Sequence, residues 1–586
     1  MRPILDPRNG DIEDDASSTK RRSLLSLAGS LLAEISLSRL AVAWMLLIGF
    51  PGLLLGALPL VVSIWIAAAW SKATNIFTEI WPALLLPPVV ALGWFAGRPL
   101  LRHAENSFWS MNALAVQPAY IVFREGLRHI AEQLLARRMN ESRRTSVRAG
   151  TAAVSGFAIC GLGIGVIVLA WPASRWVGSL ADLTSPLRLV PVVLANSVVL
   201  IASYFAAAAV IWGIADATMV QPRDLRGFHE RPTGGRTWRV AHLSDIHTVG
   251  ERYGFRVESG RSGPRGNARL RQTLARLDEI HAAHPLDVIL ITGDLTDAGR
   301  SAEWAEFFTA LALHPRLVEL VVALPGNHDV NVADRASPAR IELPTSPAKR
   351  LRQARTISAL EMLQGRRLRV VERKPGQMGG SLTDILKPYA ADMAAFADNG
   401  SARLSRSLAE LWSAIFPMVL PPDTEDGLGI IVLNSNAETH FSFTNALGLV
   451  SAEQVRAFKI ATEQYPRACW ILALHHHVTE YPRPAEALSE RIGTALINGS
   501  WFVRRLQHLV DHVVIMHGHR HIDWIGECGG VLIVSAPSPV MEADDHLETY
   551  FYVHTLAVGT DARLRLLEPE RISVRGQQVA DEAWTI

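Results

Sequence analysis

The sequence predicts a two-part fold: an α-helical membrane region, then a larger α/β domain. Two observations carry this. Long uncharged apolar runs crowd the first 220 residues, and beyond them short apolar runs recur, each ending in Asp, Asn, His and Gly. Hydrophobic residues make up 49% of the 586-residue chain and mean hydropathy is +0.16. Both are high for a soluble protein, and the length points to two or more domains.

Leu40 to Trp70 is uncharged over 31 residues, Ala149 to Ser174 over 26 and Leu189 to Ala215 over 27. Each exceeds the ~20 residues that cross a hydrocarbon core. Ile80 to Gly97 is shorter and carries Pro82, Pro87 and Pro88, but membrane helices tolerate proline, so it counts as a fourth span. A signal peptide has a shorter apolar core, nearer Met1. Gly161, Gly163 and Gly165 lack the strand–turn–helix setting of a dinucleotide loop and read as close helix packing.

Residues 98–149 hold nine arginines and four glutamates, whereas Lys72 alone follows the first span and Arg175 and Arg188 follow the third. Basic loops stay in the cytoplasm. The expected order is a cytoplasmic segment at 1–39, a membrane domain at 40–222 with four spans and a basic cytoplasmic loop at 98–149, and an α/β domain at 223–586. The chain then belongs in the inner (cytoplasmic) membrane as a multi-pass protein with its C-terminal domain in the cytoplasm. Three scattered cysteines suggest no disulfide framework. The first 222 residues carry 18 Lys+Arg against 13 Asp+Glu and the remainder 40 against 43. A slightly acidic C-terminal part excludes a nucleic-acid backbone binder, while the basic loop suits orientation or anionic lipid headgroups.

Five fragments of the C-terminal part share one design. Asp245-Ile246-His247, Gly293-Asp294, Gly326-Asn327-His328-Asp329, His475-His476-His477 and Gly518-His519-Arg520-His521 follow apolar runs at 238–243, 288–292, 318–324, 470–474 and 512–516. These runs read as buried strands, and strand ends are where an α/β sheet builds a site. Carboxylate, amide and imidazole donors suit Mn, Fe or Zn. Two such ions ~3.5–4 Å apart can clamp a phosphate and activate a water. Asp294 is the natural bridge, since a carboxylate offers two anionic oxygens; Asn327 supplies a neutral carbonyl oxygen. His517, within an apolar run, reads as a core histidine.

In order and spacing these fragments resemble the calcineurin-like metallophosphoesterases, near the class III cyclic-nucleotide phosphodiesterases, over about residues 236–565. The resemblance implies a four-layer αββα sandwich, with two mixed sheets flanked by helices. It also implies two divalent or mixed-valence transition-metal ions. Asp245, His247, Asp294 and His521 would hold one ion; Asp294, Asn327, one histidine of the triplet and His519 the other. His328 would face the phosphate and protonate or stabilise the leaving oxygen. In the triplet, the family ligand is followed after one residue by proline, and Val478 stands at that place if His476 is the ligand; counting from the strand end favours His475. His476 is preferred, with His477 structural.

From Asp329 to His475 the chain is longer than the compact family pattern, which resumes with a strand at 429–435 and a helix at 449–458. The excess, about Asp334 to Pro422, carries amphipathic stretches at 348–363 and 382–396, the second broken by Pro388. It is too long for a structureless loop and reads as an inserted helical cap. The expected function is a membrane-anchored phosphoesterase, of a phosphodiester for choice, by attack of a metal-activated water. A phosphomonoesterase or protein phosphatase is the alternative, and a non-catalytic membrane sensor or scaffold is the alternative of another class. Expected partners are a phosphate-ester substrate, lipid-linked or soluble, and membrane lipids.

Overall fold

A computed structural model describes residues 50–76, 116–135, 141–179, 186–232, 234–250, 266–333, 346–372, 376–398, 401–439, 442–482, 496–541 and 548–575, with isolated positions between them. The chain divides into two compact units, Ser36–Met219 and Val220–Ile586.

The first unit is helical: α1 (Phe50–Ile76), α2 (Gln117–Leu135), α3 (Glu141–Ala170) and α4 (Val190–Ala217). Among the described residues, two helical stretches are long and apolar enough to cross a membrane, Arg144–Ala173 and Leu187–Ala217. The run at 40–70 forms part of α1, whose apolar portion, Gly52–Ala67, is shorter. The expected span at 80–97 and the segment 1–39 lie outside the described residues. Glycine brings helices close at one of the three positions the sequence suggested, and at others. A Cβ on Gly163 would meet the Ala202 carbonyl at 3.0 Å, whereas Gly161 and Gly165 have open space. The tightest crossings are at Gly156, against the Ala209 carbonyl at 2.6 Å, and Gly56, against the Val193 carbonyl at 1.9 Å. Buried Asn196 joins three segments, donating to the carbonyls of Gly56 (3.2 Å) and Arg175 (2.7 Å). An amide in an apolar bundle needs such partners.

The second unit holds two mixed sheets flanked by helices. The six-stranded sheet contains β2 (Arg236–Leu243), β3 (Val288–Ile291), β4 (Val321–Ala323), β13 (Thr549–Val558), β14 (Leu564–Leu566) and β15 (Glu570–Val574). In it β2, β3 and β4 are parallel neighbours. β4 starts three residues later than the apolar run predicts, because Pro315–Val318 makes a helical turn, for which proline is pre-set. The nine-stranded sheet runs β1 (Arg223–Asp224), β11 (Trp524–Cys528), β12 (Val531–Ser535), β10 (Val513–His517), β9 (Cys469–Ala473), β8 (Leu428–Val432), β7 (Met418–Leu420), β5 (Arg369–Glu372), β6 (Gln377–Ser381). Here β8, β9 and β10 are parallel neighbours. Their pairing is set by near-continuous apolar sequence: β8, β9 and β10 are buried at every position, as strands covered on both faces are. One apolar core runs through both sheets, from Leu243 and Ile291 to Ile471, Met516 and Phe551.

In the segment at 334–422, read from the sequence as an inserted helical cap, the described residues form strands as well as helices. Its strands β5, β6 and β7 extend the nine-stranded sheet at one edge. The first amphipathic stretch forms helix α8 (Pro347–Gln364, counting α5 as Ala268–Ala283, α6 as Ser301–Ala312 and α7 as Asn327–Val330). It is buried on all sides, including Lys349, Arg350, Arg352 and Arg355. Arg352 pairs with Glu342, and Thr356 donates to the Asp329 carbonyl at 3.2 Å. Sequence periodicity places these cations on a wet face; partners in neighbouring elements let them be buried. The second stretch breaks at Pro388, as expected, into Leu382–Leu386, a turn at Lys387–Tyr389, and Ala390–Asp398.

Candidate metal centre

The parallel strands of both sheets end at one place. β2 leads to Asp245 and His247, β3 to Asp294, and β4 to Asn327 and His328; β8 leads to Ser435, β9 to His475, and β10 to His519 and His521. Five of these residues have left-handed backbone: Asp245 (φ 55°), His247 (48°), Asp294 (50°), His519 (79°) and His521 (53°). Each such non-glycine residue costs about 1–3 kcal/mol and persists only where its surroundings over-determine it. Tight approach explains two motif glycines. A Cβ on Gly326 would lie 2.0 Å from Asp294 Oδ1, and one on Gly518 would lie 1.7 Å from Ser244 Oγ.

The donors fall into two groups that meet at one carboxylate oxygen. In the first, His521 Nε2 lies 3.4 Å from Asp245 Oδ1, and His247 Nε2 lies 3.6 Å from Asp294 Oδ2. In the second, His475 Nε2 stands 3.2 Å from Asp294 Oδ2, 3.0 Å from Asn327 Oδ1 and 3.0 Å from His519 Nδ1. The other oxygen of Asp294, Oδ1, accepts the His328 amide at 2.8 Å. Only Oδ2 therefore lies between the groups, so a bridge would use one oxygen of Asp294 rather than two. The clusters Asp245–His247–His521 and Asp294–His475–His519 could each hold an ion.

Within the triplet, the sequence preferred His476 as ligand and the strand-end count favoured His475. His475 enters the cluster; His476 turns its Nδ1 to Ser435 Oγ, at 2.9 Å. His477 faces Glu480, 4.0 Å away. The reason is alternation along the chain leaving β9, which sends consecutive side chains to different sides. Ser435 holds the register, accepting the amides of both His475 and His476 at 3.1 Å. His475 Nδ1 donates to the Thr292 carbonyl at 2.8 Å. Its Nε2, facing three acceptor atoms, can then stay there only with a second proton or a cation.

The electrostatics agree. Burial opposes charge on His475, but Asp294 beside it outweighs burial and raises its pKa to about 9. Burial would also raise Asp294, yet His475 and His328 hold it well below the usual carboxylate range. Burial likewise opposes ionisation of Asp245, and His521 outweighs it, holding the carboxyl at about 2. His519 is pushed well below its ordinary value by burial and by His476 and His475, so it is neutral. Anionic carboxylates and a neutral His519 are what a divalent ion requires, and on His475 the ion would take the place of the second proton.

His328 Nδ1 donates to the Asp297 carbonyl at 2.7 Å, and its ring meets that of His247 edge-on at 4.5 Å. Asp297, absent from the residues the motifs single out, orients both rings: its Oδ1 lies 3.3 Å from His247 Nδ1. Its signal was its place three residues after Asp294 in the same loop. Asp329 pins that loop, accepting Thr296 Oγ1 at 2.6 Å, Thr296 N at 2.9 Å and Gly326 N at 2.9 Å. Arg520, between two candidate ligands, pairs with Glu480 at 2.7 Å and lies over the Tyr481 ring at 5.3 Å, tying the last two motifs together. His517 is buried, as expected, and stacks on Tyr481. The three cysteines are free.

Residues 239–373 match the family model described as calcineurin-like phosphoesterase. The match spans β2 to β5 and so takes in α8, part of the segment the sequence reading set aside as inserted. A search of curated proteins found no relative. Among solved structures, a dimetal phosphatase from Danio rerio is similar at 9% identity, over 58% of this chain and 98% of its own, with a TM-score of 0.32. PhoD is similar at 10% identity, over 59% and 73%, with a TM-score of 0.32. A purple acid phosphatase from yellow lupin seeds is similar at 11% identity, over 59% and 55%, with a TM-score of 0.26. On the family match and the motifs it contains, this chain carries a calcineurin-like metallophosphoesterase domain and is a hydrolase of phosphoric ester bonds.

Proposed function

We propose that the protein is a membrane-anchored, two-metal phosphodiesterase with its hydrolase unit in the cytoplasm. The observation that supports this best is the pair of donor groups sharing Asp294 Oδ2, 3.6 Å from His247 Nε2 and 3.2 Å from His475 Nε2. Asp245, His247, Asp294 and His521 would hold one ion, and Asp294, Asn327, His475 and His519 the other, as Mn, Fe or Zn. Two ions held there would supply water activation and neutralisation of phosphoryl charge. The chain's own part is orientation and proton transfer. Asp297 and Thr292 fix the His247 and His475 rings. His328, oriented through Nδ1, would as a protonated imidazole give its proton to the leaving oxygen. A complete donor set speaks for catalysis over ligand sensing alone.

Membrane anchoring is supported by the two long apolar helices and by their surfaces. Phe157, Leu162, Val168, Leu169 and Ile211 are 60–83% exposed, more apolar surface than water-soluble helices present. A lipid-linked substrate, admitted by residues 334–422, is the other form of this reading, and lipid diphosphates in the test below separate it from a soluble diester.

The test is turnover by the purified full-length protein in nanodiscs, with Mn, Fe or Zn added, of bis(p-nitrophenyl) phosphate, cyclic nucleotides, lipid diphosphates and p-nitrophenyl phosphate. Diester hydrolysis that needs metal, with two ions per chain by elemental analysis, is expected, and Asp294→Ala should abolish both. Turnover of monoesters alone would replace the diester reading with the phosphomonoesterase one.

A further inference from the structure

Helix α2 carries its polarity inside out. Its exposed large apolar side chains are Val122 (48%), Phe123 (42%), Ile130 (55%), Leu134 (80%) and Leu135 (41%), with Gln133 the one exposed polar side chain among the described residues of the helix, while Tyr120, Glu125 and Arg128 are buried. The inward side is a network. Arg124 pairs with Asp216 of α4 and with Glu125 at 2.9 Å, Arg128 pairs with Glu125 at 2.7 Å, and the Tyr120 hydroxyl donates to Asp216 at 3.1 Å. A helix lying on a soluble protein does the opposite, turning its charges to water and its apolar stripe to the core.

The attachment points set the depth. Tyr120 also meets the Ala152 carbonyl, at 3.4 Å. Asp216 is next to the end of α4, and Ala152 lies shortly after the charged turn that opens α3, with Arg143, Arg144 and Arg148. Within two turns of these points both long apolar helices expose large apolar side chains: Val154 (56%), Phe157 (60%), Ile211 (65%) and Ile214 (51%). The outer face of α2 therefore continues an apolar surface that begins on its neighbours, at the level where their charges begin. We propose that α2 lies in the membrane–water interface, its apolar face in the acyl boundary of the bilayer and its ion-paired face on the ends of α3 and α4. This rests on the reading that α3 and α4 cross the membrane. It also revises the basic loop: Arg124 and Arg128 serve the bundle, not lipid headgroups.

The test uses cysteine probes in full-length protein carrying Cys160→Ala; Cys469 and Cys528 are buried. Leu134→Cys reports α2, Leu169→Cys (83% exposed) reports a span, and Leu313→Cys (66% exposed) reports the second unit. Each is labelled with bimane and reconstituted in phosphatidylcholine–phosphatidylglycerol vesicles. Lipid brominated near the top of the acyl chain should quench most of the emission at Leu134, with little quenching by aqueous iodide, and leave Leu313 bright. Iodide quenching at Leu134 equal to that at Leu313 overturns the inference. So does quenching by neither agent, which means that another part of the chain or a second copy covers the face. Loss of lipid quenching at Leu169 as well means that the membrane reading itself fails.

Discussion

His475 shows how one side chain decides a site. Its Nδ1 hydrogen is committed to Thr292, so Nε2 is the atom turned to Asp294, Asn327 and His519. His475→Ala should therefore cut bound metal from two ions to one per chain and reduce kcat by orders of magnitude. His476→Ala removes a partner of Ser435 and a ring packed 4.4 Å from that of His519 but should keep both ions, with a loss of metal affinity of about 10- to 100-fold at most. The reverse order by elemental analysis and rate would restore His476 as the ligand. Arg520 stands between two left-handed histidines and is held by Glu480 and Tyr481. Arg520→Met should leave the metal-free melting temperature little changed but weaken metal binding about 10–100-fold, as read by a fluorescent chelator competition. Unchanged affinity would show that the turn holds itself.

At the scale of elements, α6 is anchored beside the site by a buried acid. Glu303, in its first turn, accepts the amides of Ala298 (2.8 Å) and Arg300 (3.0 Å), satisfying donors a helix start leaves open. Burial, then Asp297, pushes its pKa up to about 8 from 4.5. The folded state thus prefers the protonated carboxyl. The stability this lends is complete below about pH 4.5 and is lost as pH rises to about 8, a difference on the order of a few kcal/mol. Glu303→Gln keeps an oxygen for both amides without the ionisation. Its melting temperature relative to the natural protein should climb between pH 5 and 8 and level off above; a constant offset across that range would refute the buried-acid account.

At the scale of the whole chain, the arginine asymmetry predicts both termini in the cytoplasm. Reporter fusions after Ile586 and near Ala73 should score on opposite sides of the membrane. A C-terminal fusion scored as external would rule out four spans with this orientation and place the hydrolase unit outside. An even number of crossings is needed because the N-terminal cluster Lys20, Arg21 and Arg22 and the C-terminal unit are expected on one side.

The sequence by itself determined the α/β domain and its strands, and it singled out the motif residues that follow them. Apolar runs and Gly-Asp, Gly-Asn-His-Asp and Gly-His spacings are local, and local pattern is enough to place a ligand at a strand end. It could not rank His475 against His476, because adjacent residues differ only in the side of the chain they face, and Ser435, 40 residues earlier, sets that. Nor could it reveal Asp297 as the brace of His247, or α8 and β5–β7 as core and sheet. The lysine and arginines of α8 look like a wet face until Glu342 and other distant partners bury them. The same holds for α2, where Asp216, 92 residues from Arg124, turns charges inward. Long-range pairing of charge and register is a property of tertiary structure, since a charge's free energy depends on its neighbours in space, not in sequence.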